Sequence, residues 1–187
     1  MILNPKGNNF FFTFPKGFFP AVVVDKYLPY IQRMPFPYDT VSDFMNSTIQ
    51  SINIPSITSD TVTQTRYLGK KALYKGATPI QDLFEQNFSV TFKHTDGYIN
   101  YFIMLDTLLY FLSFANPEQH YFDIPIRILD NEGNTIVSFI LKQTTLLGVS
   151  NFDLNYTSNS PSVSTFNLSF VANYIDIVLN ATRSSLP

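Results

Sequence analysis

The chain has 187 residues and a formal net charge of −2, with 14% charged residues, 16% aromatic residues and no cysteine. This length fits one domain that buries roughly 70% of its unfolded surface, and the lack of cysteine excludes disulfides and thiolate metal sites. No cluster of basic and interleaved aromatic residues is present, which argues against nucleic-acid binding driven by sequence. Interface centres are poor in charge and rich in Phe and Tyr, so we expect a subunit of an assembly.

The sequence predicts neither a membrane span nor a secretion signal. Its longest apolar run, residues 101–114, is interrupted by Asp106 and is shorter than the roughly 20 residues that a bilayer requires. The first 17 residues lack a basic start, a long apolar stretch and a small-residue cleavage site. Together with the absence of cysteine, this pattern fits a protein that folds in a reducing cytoplasm.

The first forty residues alternate short apolar segments with prolines. The run at residues 9–14 is compatible with a strand or with an arm that packs on a neighbouring subunit, and its spacing does not choose between them. The β-branched segment Ala21–Val24 predicts a short strand. Prolines then predict an extended loop or an edge strand between residues 27 and 38, because proline is disfavoured in helix interiors and central strands.

A short helix and a polar hairpin are predicted next. Residues 39–50 have Asp39 or Thr40 as a candidate helix cap, and an extended segment that ends at Pro55 follows them. Residues 61–67 are β-prone and almost wholly polar, and together with residues 69–74 they predict a hairpin that projects from the body. A solvated loop is the alternative for this segment.

A strand followed by a long apolar helix dominates the middle of the chain. Residues 86–93 alternate apolar and polar side chains, which is the period of a strand buried on one face. Asp96-Gly97 breaks the alternation, and Thr95 or Asp96 is a candidate cap for the helix. One stripe of this helix comprises Tyr98, Tyr101, Phe102, Leu105, Leu108, Leu109 and Leu112. The opposite side needs a second partner surface because it is also apolar, at Ile99, Ile103, Met104, Tyr110 and Phe111.

After the helix the sequence predicts a β-hairpin and two further strands. The hairpin joins residues 122–128 to Thr135–Gln143 through turn residues 130–134. The strands Val149–Thr157 and Val163–Tyr174 repeat the pattern of residues 86–93, with aromatic residues or Leu on one face and polar residues on the other. The polar faces of the three strands comprise Ser89, Thr91, Lys93, Asp153, Asn155, Thr157, Thr165, Asn167 and Ser169.

These polar faces carry few charges. A sheet surface rich in Ser, Thr and Asn suits a channel wall that neither binds nor repels what passes it, such as DNA. A plain solvent-facing sheet explains the same three strands at least as well. The strands alone therefore leave both interpretations open.

No motif in the sequence points to catalysis, a metal or a cofactor. His94 and His120 are the only histidines, and neither stands at a helical metal-ligand spacing. Gly69-Lys70-Lys71 lacks the other residues of a phosphate-binding loop, and no pair of titratable groups has a recognisable catalytic spacing. We therefore expect no enzyme. A carbohydrate-binding β-sandwich is an alternative, since Tyr and Phe stack on sugar rings.

The order of these elements resembles the tail tube proteins of contractile-tailed bacteriophages. The resemblance rests on the strand and turn at residues 88–98 (Phe-Ser-Val-Thr-Phe-Lys-His-Thr-Asp-Gly-Tyr), with an aromatic-rich helix directly after them and a late β-hairpin. The short helix and strand at residues 41–55 and the polar hairpin near residues 61–76 are similar to elements of the same proteins. The likeness covers about residues 20–178 and consists of element order and hydrophobic pattern.

The resemblance implies a virion structural protein of the tail, assembled in the host cytoplasm. Its copies would form hexameric rings that stack into a tube for the passage of DNA, with sheath and baseplate proteins as partners. The nine polar residues would face the lumen, and the second apolar side of the helix would contact the next subunit of the ring. The hairpin would reach the neighbouring ring through Arg66, Tyr67, Lys70, Lys71 and Tyr74. Baseplate rings, tail completion rings and type VI secretion tubes share this fold and stay open as alternatives.

The expected fold class is α+β and mainly β: an antiparallel β-sandwich or barrel-like subunit with one long helix packed on it, a short helix and a projecting hairpin. Residues 1–19 are expected to form an N-terminal extension or arm. Residues 20–178 are expected to form a single domain, and residues 179–187 a polar tail. The face of the sheet that lines the lumen follows from the resemblance, whereas burial on one face follows from the alternation.

Overall fold

A computed structural model of the chain describes residues 10–54, 61–65, 69–76, 86–113, 121–130, 132–150, 152 and 164–179. Within them the protein is mainly antiparallel β-sheet with three helices packed on it, and the sheet does not close into a barrel. The predicted class, α+β and mainly β, is confirmed. None of the helices in these ranges is long and apolar enough to cross a membrane.

The elements alternate irregularly between helix and strand along the chain. In order they are β1 (Phe10–Phe12), α1 (Ala21–Ile31), α2 (Val41–Ser47), β2 (Ile49–Asn53), β3 (Thr61–Thr65), β4 (Lys71–Lys75), β5 (Gln86–Lys93), α3 (Ile99–Ser113), β6 (Phe122–Leu129), β7 (Thr135–Val149), β8 (Thr165–Ala172) and β9 (Tyr174–Leu179). A single 3-10 turn, Asp96–Tyr98, leads into α3. The predicted hairpin at residues 61–76 is confirmed as the separate two-stranded sheet of β3 and β4.

The main sheet has the strand order β1-β6-β7-β8-β5-β2, and β9 also pairs with β7. The first part of β7 pairs with β6 and β9, whereas its last residues pair with β8. Gln143 marks the change with a left-handed φ of 48°. Its backbone N–H donates to Asp123 at 3.1 Å, and its side chain accepts from Asn173 at 2.9 Å. These bonds hold the bend that lets one strand serve both halves of the sheet.

The core includes a cluster of phenylalanines from the N-terminal part of the chain. Phe12, Phe14, Phe18 and Phe19 are all buried. The ring of Phe18 lies 4.8 Å from that of Phe14 and 5.0 Å from that of Phe122, between centroids. The run at residues 9–14 forms a strand on β6 over Phe10–Phe12. Residues 10–19 therefore pack into the same core as the rest of the chain and are not a detached arm.

Helix α1 replaces the strand predicted at Ala21–Val24 and the first part of the extended loop predicted for residues 27–38, so the strand prediction is wrong. Residues 32–38 form neither helix nor strand, as predicted. The helix begins directly after Pro20 and includes Pro29 near its end, at the cost of the hydrogen bond that an N–H at this position would donate to the carbonyl of Asp25. Val23 and Ile31 are buried on its inner side. The β-preference of Val is a tendency of only about 1 kcal/mol across the whole scale, and burial of this face outweighs it.

Helix α2 and the strand after it agree with the sequence prediction. The side chain of Thr40 accepts a hydrogen bond from the backbone N–H of Asp43 at 3.1 Å and so caps α2. The extended segment predicted next is β2. The predicted strand Val149–Thr157 is described only at its start, where Val149 ends β7, because residues 151 and 153–163 lie outside the described ranges, as do residues 1–9, 55–60 and 180–187.

Candidate functional site

The polar face of β5 and β8 is the surface that the sequence singles out for function. The two strands pair antiparallel, with Ser89 opposite Ser169, Thr91 opposite Asn167 and Lys93 opposite Thr165. The three residues of β8 are exposed, as is Lys93, and Ser89 and Thr91 are partly exposed. The structure therefore brings these six predicted residues together on one face. Three further predicted residues lie outside the described ranges: Asp153, Asn155 and Thr157.

Stacked aromatic rings on the buried face fix this arrangement. Phe88 stacks on Phe170 with 5.0 Å between ring centroids, and Phe92 stacks on Phe166 with 5.3 Å. Between these pairs, Val90 lies opposite Leu168. A shift of one residue in register would move every one of these rings to the solvent side. The buried pairs thus determine which side chains form the polar face.

Strand β2 widens the polar face, which the sequence analysis missed. Ser51 lies opposite Thr91, and Asn53 lies opposite Ser89. The alternation of Ser51 and Asn53 with Ile52 was the signal that could have found them. Lys93 is the only charged residue of β2, β5 and β8, so the face consists mainly of hydroxyl and amide groups.

A buried asparagine joins the end of β5 to helix α3. The side chain of Asn100 is fully buried, and its amide donates to the backbone carbonyl of Lys93 at 2.7 Å. Its carbonyl oxygen accepts from the backbone N–H of Thr95 at 3.2 Å. Sequence reasoning proposed Thr95 or Asp96 as a helix cap, but Thr95 makes no side-chain cap hydrogen bond. The positive φ of 69° at Gly97 lets the chain turn sharply between the two elements.

The structure does not divide α3 into the two apolar sides that the sequence predicts, because residues of both sides pack against the core. Ile103 and Met104 are fully buried in the core, and Ile99 and Phe111 are partly buried against it. They do not form the outward surface predicted for them. Tyr110 is also partly buried. The exposed side comes from the other predicted stripe, at Phe102 (40% exposed), Leu109 (51%) and Leu112 (73%).

An ion pair between α1 and α3 helps to fix how α3 is oriented, and therefore which of its residues are exposed. Lys26 contacts Asp106 at 2.5 Å, and the hydroxyl of Tyr27 donates to the same carboxylate oxygen at 2.7 Å. Partial burial alone would raise the pKa of Asp106, but the hydrogen bonds from Lys26 and Tyr27 outweigh it and hold the pKa below its ordinary value. The carboxylate therefore stays ionised and keeps both partners in place.

The predicted inter-ring hairpin is present and exposed. Every residue of β3 is exposed, as are Lys70 and Lys71. Tyr74 is 43% exposed and Leu73 is 72% exposed. Arg66 and Tyr67 lie outside the described ranges.

His94 lies in an aromatic cage at the end of the polar face. Its ring centroid is 5.0 Å from those of Tyr98 and Phe166 and 5.7 Å from that of Phe152. The Nδ1 atom is buried and has no hydrogen-bond partner among the described residues. Burial lowers the pKa of His94. Within the same ranges, no group of three or more His, Asp or Glu side chains is placed to hold a metal ion.

Comparison with known proteins finds similar solved structures but no matching family model or curated protein. No protein-family model matches the chain, and no curated protein matches it significantly. The tube terminating cap of the anti-feeding prophage is similar with a TM-score of 0.54 and 13% identity, over 96% of this chain and 93% of that chain. A chain of the baseplate of the same prophage is similar with a TM-score of 0.53 and 11% identity, over 95% of this chain and 97% of that chain.

A third solved structure is matched over a smaller part of the chain. It is a sheath–tube complex of an extracellular contractile injection system, with a TM-score of 0.48 and 14% identity, over 70% of this chain and 80% of that chain. The cap and baseplate likenesses extend over nearly the whole chain and show the fold. The chain therefore shares the fold of these cap and baseplate chains.

The cage around His94 predicts a stability that depends on pH. Because burial lowers the folded-state pKa below the ordinary 6.5, the unfolded chain binds the proton first as the pH falls. The free energy of unfolding should therefore decrease as the pH falls through about 6.5. Urea denaturation across this range should show a steeper decrease for the parent protein than for His94→Phe, which cannot titrate. Equal slopes for both proteins would contradict this account of the cage.

Proposed function

We propose that the protein is a ring-forming structural subunit on the tube axis of a contractile tail or injection apparatus. The polar face of β2, β5 and β8 carries this proposal, because the buried aromatic pairs hold it in one register and it has a single charged residue. The cap and baseplate proteins with the same fold come from such an apparatus. In this proposal the polar face lines the channel.

The chemistry of this face suits a channel for DNA. A basic surface binds the phosphate backbone through release of counterions, and a strongly acidic one repels it. Hydroxyl and amide groups such as those of Ser89, Asn167 and Ser169 stay hydrated. They therefore offer passing DNA neither a strong site nor an electrostatic barrier.

Ring formation is supported by apolar surface that the single chain leaves uncovered. On α3 it comprises Phe102, Leu109 and Leu112, and on β9 it includes Ile177 (58% exposed) and Leu179 (73% exposed). Exposed apolar surface of this kind marks interaction sites, and an edge strand such as β9 also offers backbone groups for pairing. The exposed side of α3 replaces the side that the sequence analysis assigned to the ring contact.

A terminal ring is a second candidate for the position of the subunit along the tube. The tube terminating cap and the baseplate chain described above have TM-scores above 0.5, and each matches over at least 95% of this chain. A main tube subunit would stack without limit, whereas a cap or baseplate ring would present only one stacking surface. Partners would be sheath and baseplate proteins in either position.

Electron microscopy of the purified protein tests ring formation. We expect rings with a central channel and six copies, in open-ended stacks for a tube subunit and as single rings for a terminal one. Replacing Leu109 and Leu112 together by Glu should abolish the rings while the far-ultraviolet circular dichroism stays unchanged. Asn134→Glu, in the exposed turn between β6 and β7, is the matched control and should leave them intact. Monomers of the parent protein under all assembly conditions would contradict the proposal.

The β3–β4 hairpin is proposed to contact the neighbouring ring. A two-stranded hairpin is at best marginal in isolation, so one without a buried face of its own gains stability from a second surface. Replacing Lys70 and Lys71 by Glu should shorten the stacks but preserve single rings, whereas Lys70→Arg and Lys71→Arg should preserve both. The length distribution in micrographs measures this effect. An unchanged distribution in the Glu variant would reject the inter-ring contact.

A further inference from the structure

One face of the sheet formed by β1, β6, β7 and β9 is apolar and only partly covered. The strand registers align two rows of apolar residues across it, Phe12, Ile126, Phe139 and Ile177 in one and Phe10, Ile128, Val137 and Leu179 in the next. Directly opposed residues point to the same side of a sheet. Phe12 is buried at the β1 end of its row, whereas Ile177 and Leu179 at the β9 end are 58% and 73% exposed. The chain itself therefore leaves the β9 end of this face uncovered.

The same face opens into a cleft of 470 Å³ that is lined by both β1 and β2, the first and last strands of the main sheet. Its apolar lining includes Ile126, Ile128 and Phe139 from the rows above and Ile52 and Ile54 from the β2 side. None of the described residues that line it is acidic or basic. An apolar cavity of about 150 Å³ holds one benzene molecule, so this cleft has room for about three apolar side chains.

The exposed side of α3 matches this cleft in length and in chemistry. Phe102, Leu109 and Leu112 lie on one side of the helix, and the ten residues from the first to the last span about 15 Å. The β2 side of the cleft, from Ile49 to Ile54, is about 16 Å long at the rise of a strand. The single acidic or basic residue of α3 is Asp106, which is already engaged by Lys26. Both surfaces are therefore uncharged, and each exposes apolar groups that the other can cover.

We propose that the exposed side of α3 of one copy packs into the cleft between β1 and β2 of the next copy. The inference rests on the proposed ring and names the two surfaces that form its subunit contact. Among the described residues that line the cleft, none belongs to α3, so the contact joins two different surfaces and is heterologous. Contacts of this kind close into rings when the rotation between copies allows it. One contact then covers both the exposed side of α3 and the β9 end of the apolar face.

The other exposed surfaces of the described chain fit the cleft less well. The β3–β4 hairpin would bring Lys70 and Lys71 to it, and the polar face would bring Lys93 together with hydroxyl and amide groups. A charged or polar group that is buried without a partner costs free energy. A second copy's α3 fills the cleft without this cost.

Disulfide trapping in the full chain tests this contact, because the sequence has no cysteine. Ile54→Cys, at a 38% exposed position of the cleft, is combined in turn with Phe102→Cys, Leu109→Cys and Leu112→Cys, which sample both directions of the helix along the cleft. After mild oxidation at least one pair should give disulfides between chains, seen on a non-reducing gel as a ladder from dimers to hexamers. The matched controls replace Ile54→Cys by Ile136→Cys, at an exposed position on the other face of β7, and should give several-fold less.

Single-cysteine proteins and micrographs separate this contact from ring formation itself. Neither Leu109→Cys nor Ile54→Cys alone should give dimers above the control yield, because a heterologous contact brings the two different positions together. Dimers of Leu109→Cys alone would overturn the proposal, since α3 would then pack on α3, and so would disulfides within single chains. Rings seen under reducing conditions with no pair above its control would overturn the contact and leave the proposed ring intact. Monomers with no disulfides would overturn both.

Discussion

The pairing of β5 with β8 is the constraint on which the rest of the structure depends. Two stacked phenylalanine pairs flank the Val90–Leu168 pair on its buried side. Aromatic pairs contribute about 0.5–1.5 kcal/mol each beyond the burial of their area, and a slip by one residue would expose all of them. The same register that protects the core therefore produces the polar face on the other side, with Lys93 as its single charged residue. Fold stability and the proposed channel surface have one physical origin.

The helices are arranged around this pair through polar contacts at their ends and sides. Asn100 attaches the start of α3 to the end of β5, and the Lys26–Asp106 pair attaches α1 to the middle of α3. Because both contacts are specific in position, α3 presents Phe102, Leu109 and Leu112 outward and keeps Ile103 and Met104 inward. The outward side is the surface that we propose for contact with other subunits.

The sequence predicted the parts of the fold in which local pattern and tertiary burial agree. Strict alternation located β5 and β8 and the polar side chains between their buried residues, and the cap at Thr40 located α2. The strand predicted from the β-branched residues of Ala21–Val24 was wrong, because burial of a helical face at Val23 outweighed the β-preference of Val. The faces of α3 could not be told apart because the helix is apolar all round. Packing against the sheet buries Ile103 and leaves Leu109 exposed, and this packing cannot be read from the sequence alone.

In the proposed assembly the polar face of β2, β5 and β8 lines a channel. A cryo-electron microscopy reconstruction of the assembled protein tests it most directly, because it shows which side chains point toward the ring axis. We expect Ser89, Asn167 and Ser169 to face the axis and Leu109 and Leu112 to be covered by another subunit. A ring in which α3 faces the axis and the polar sheet face lies outside would contradict it.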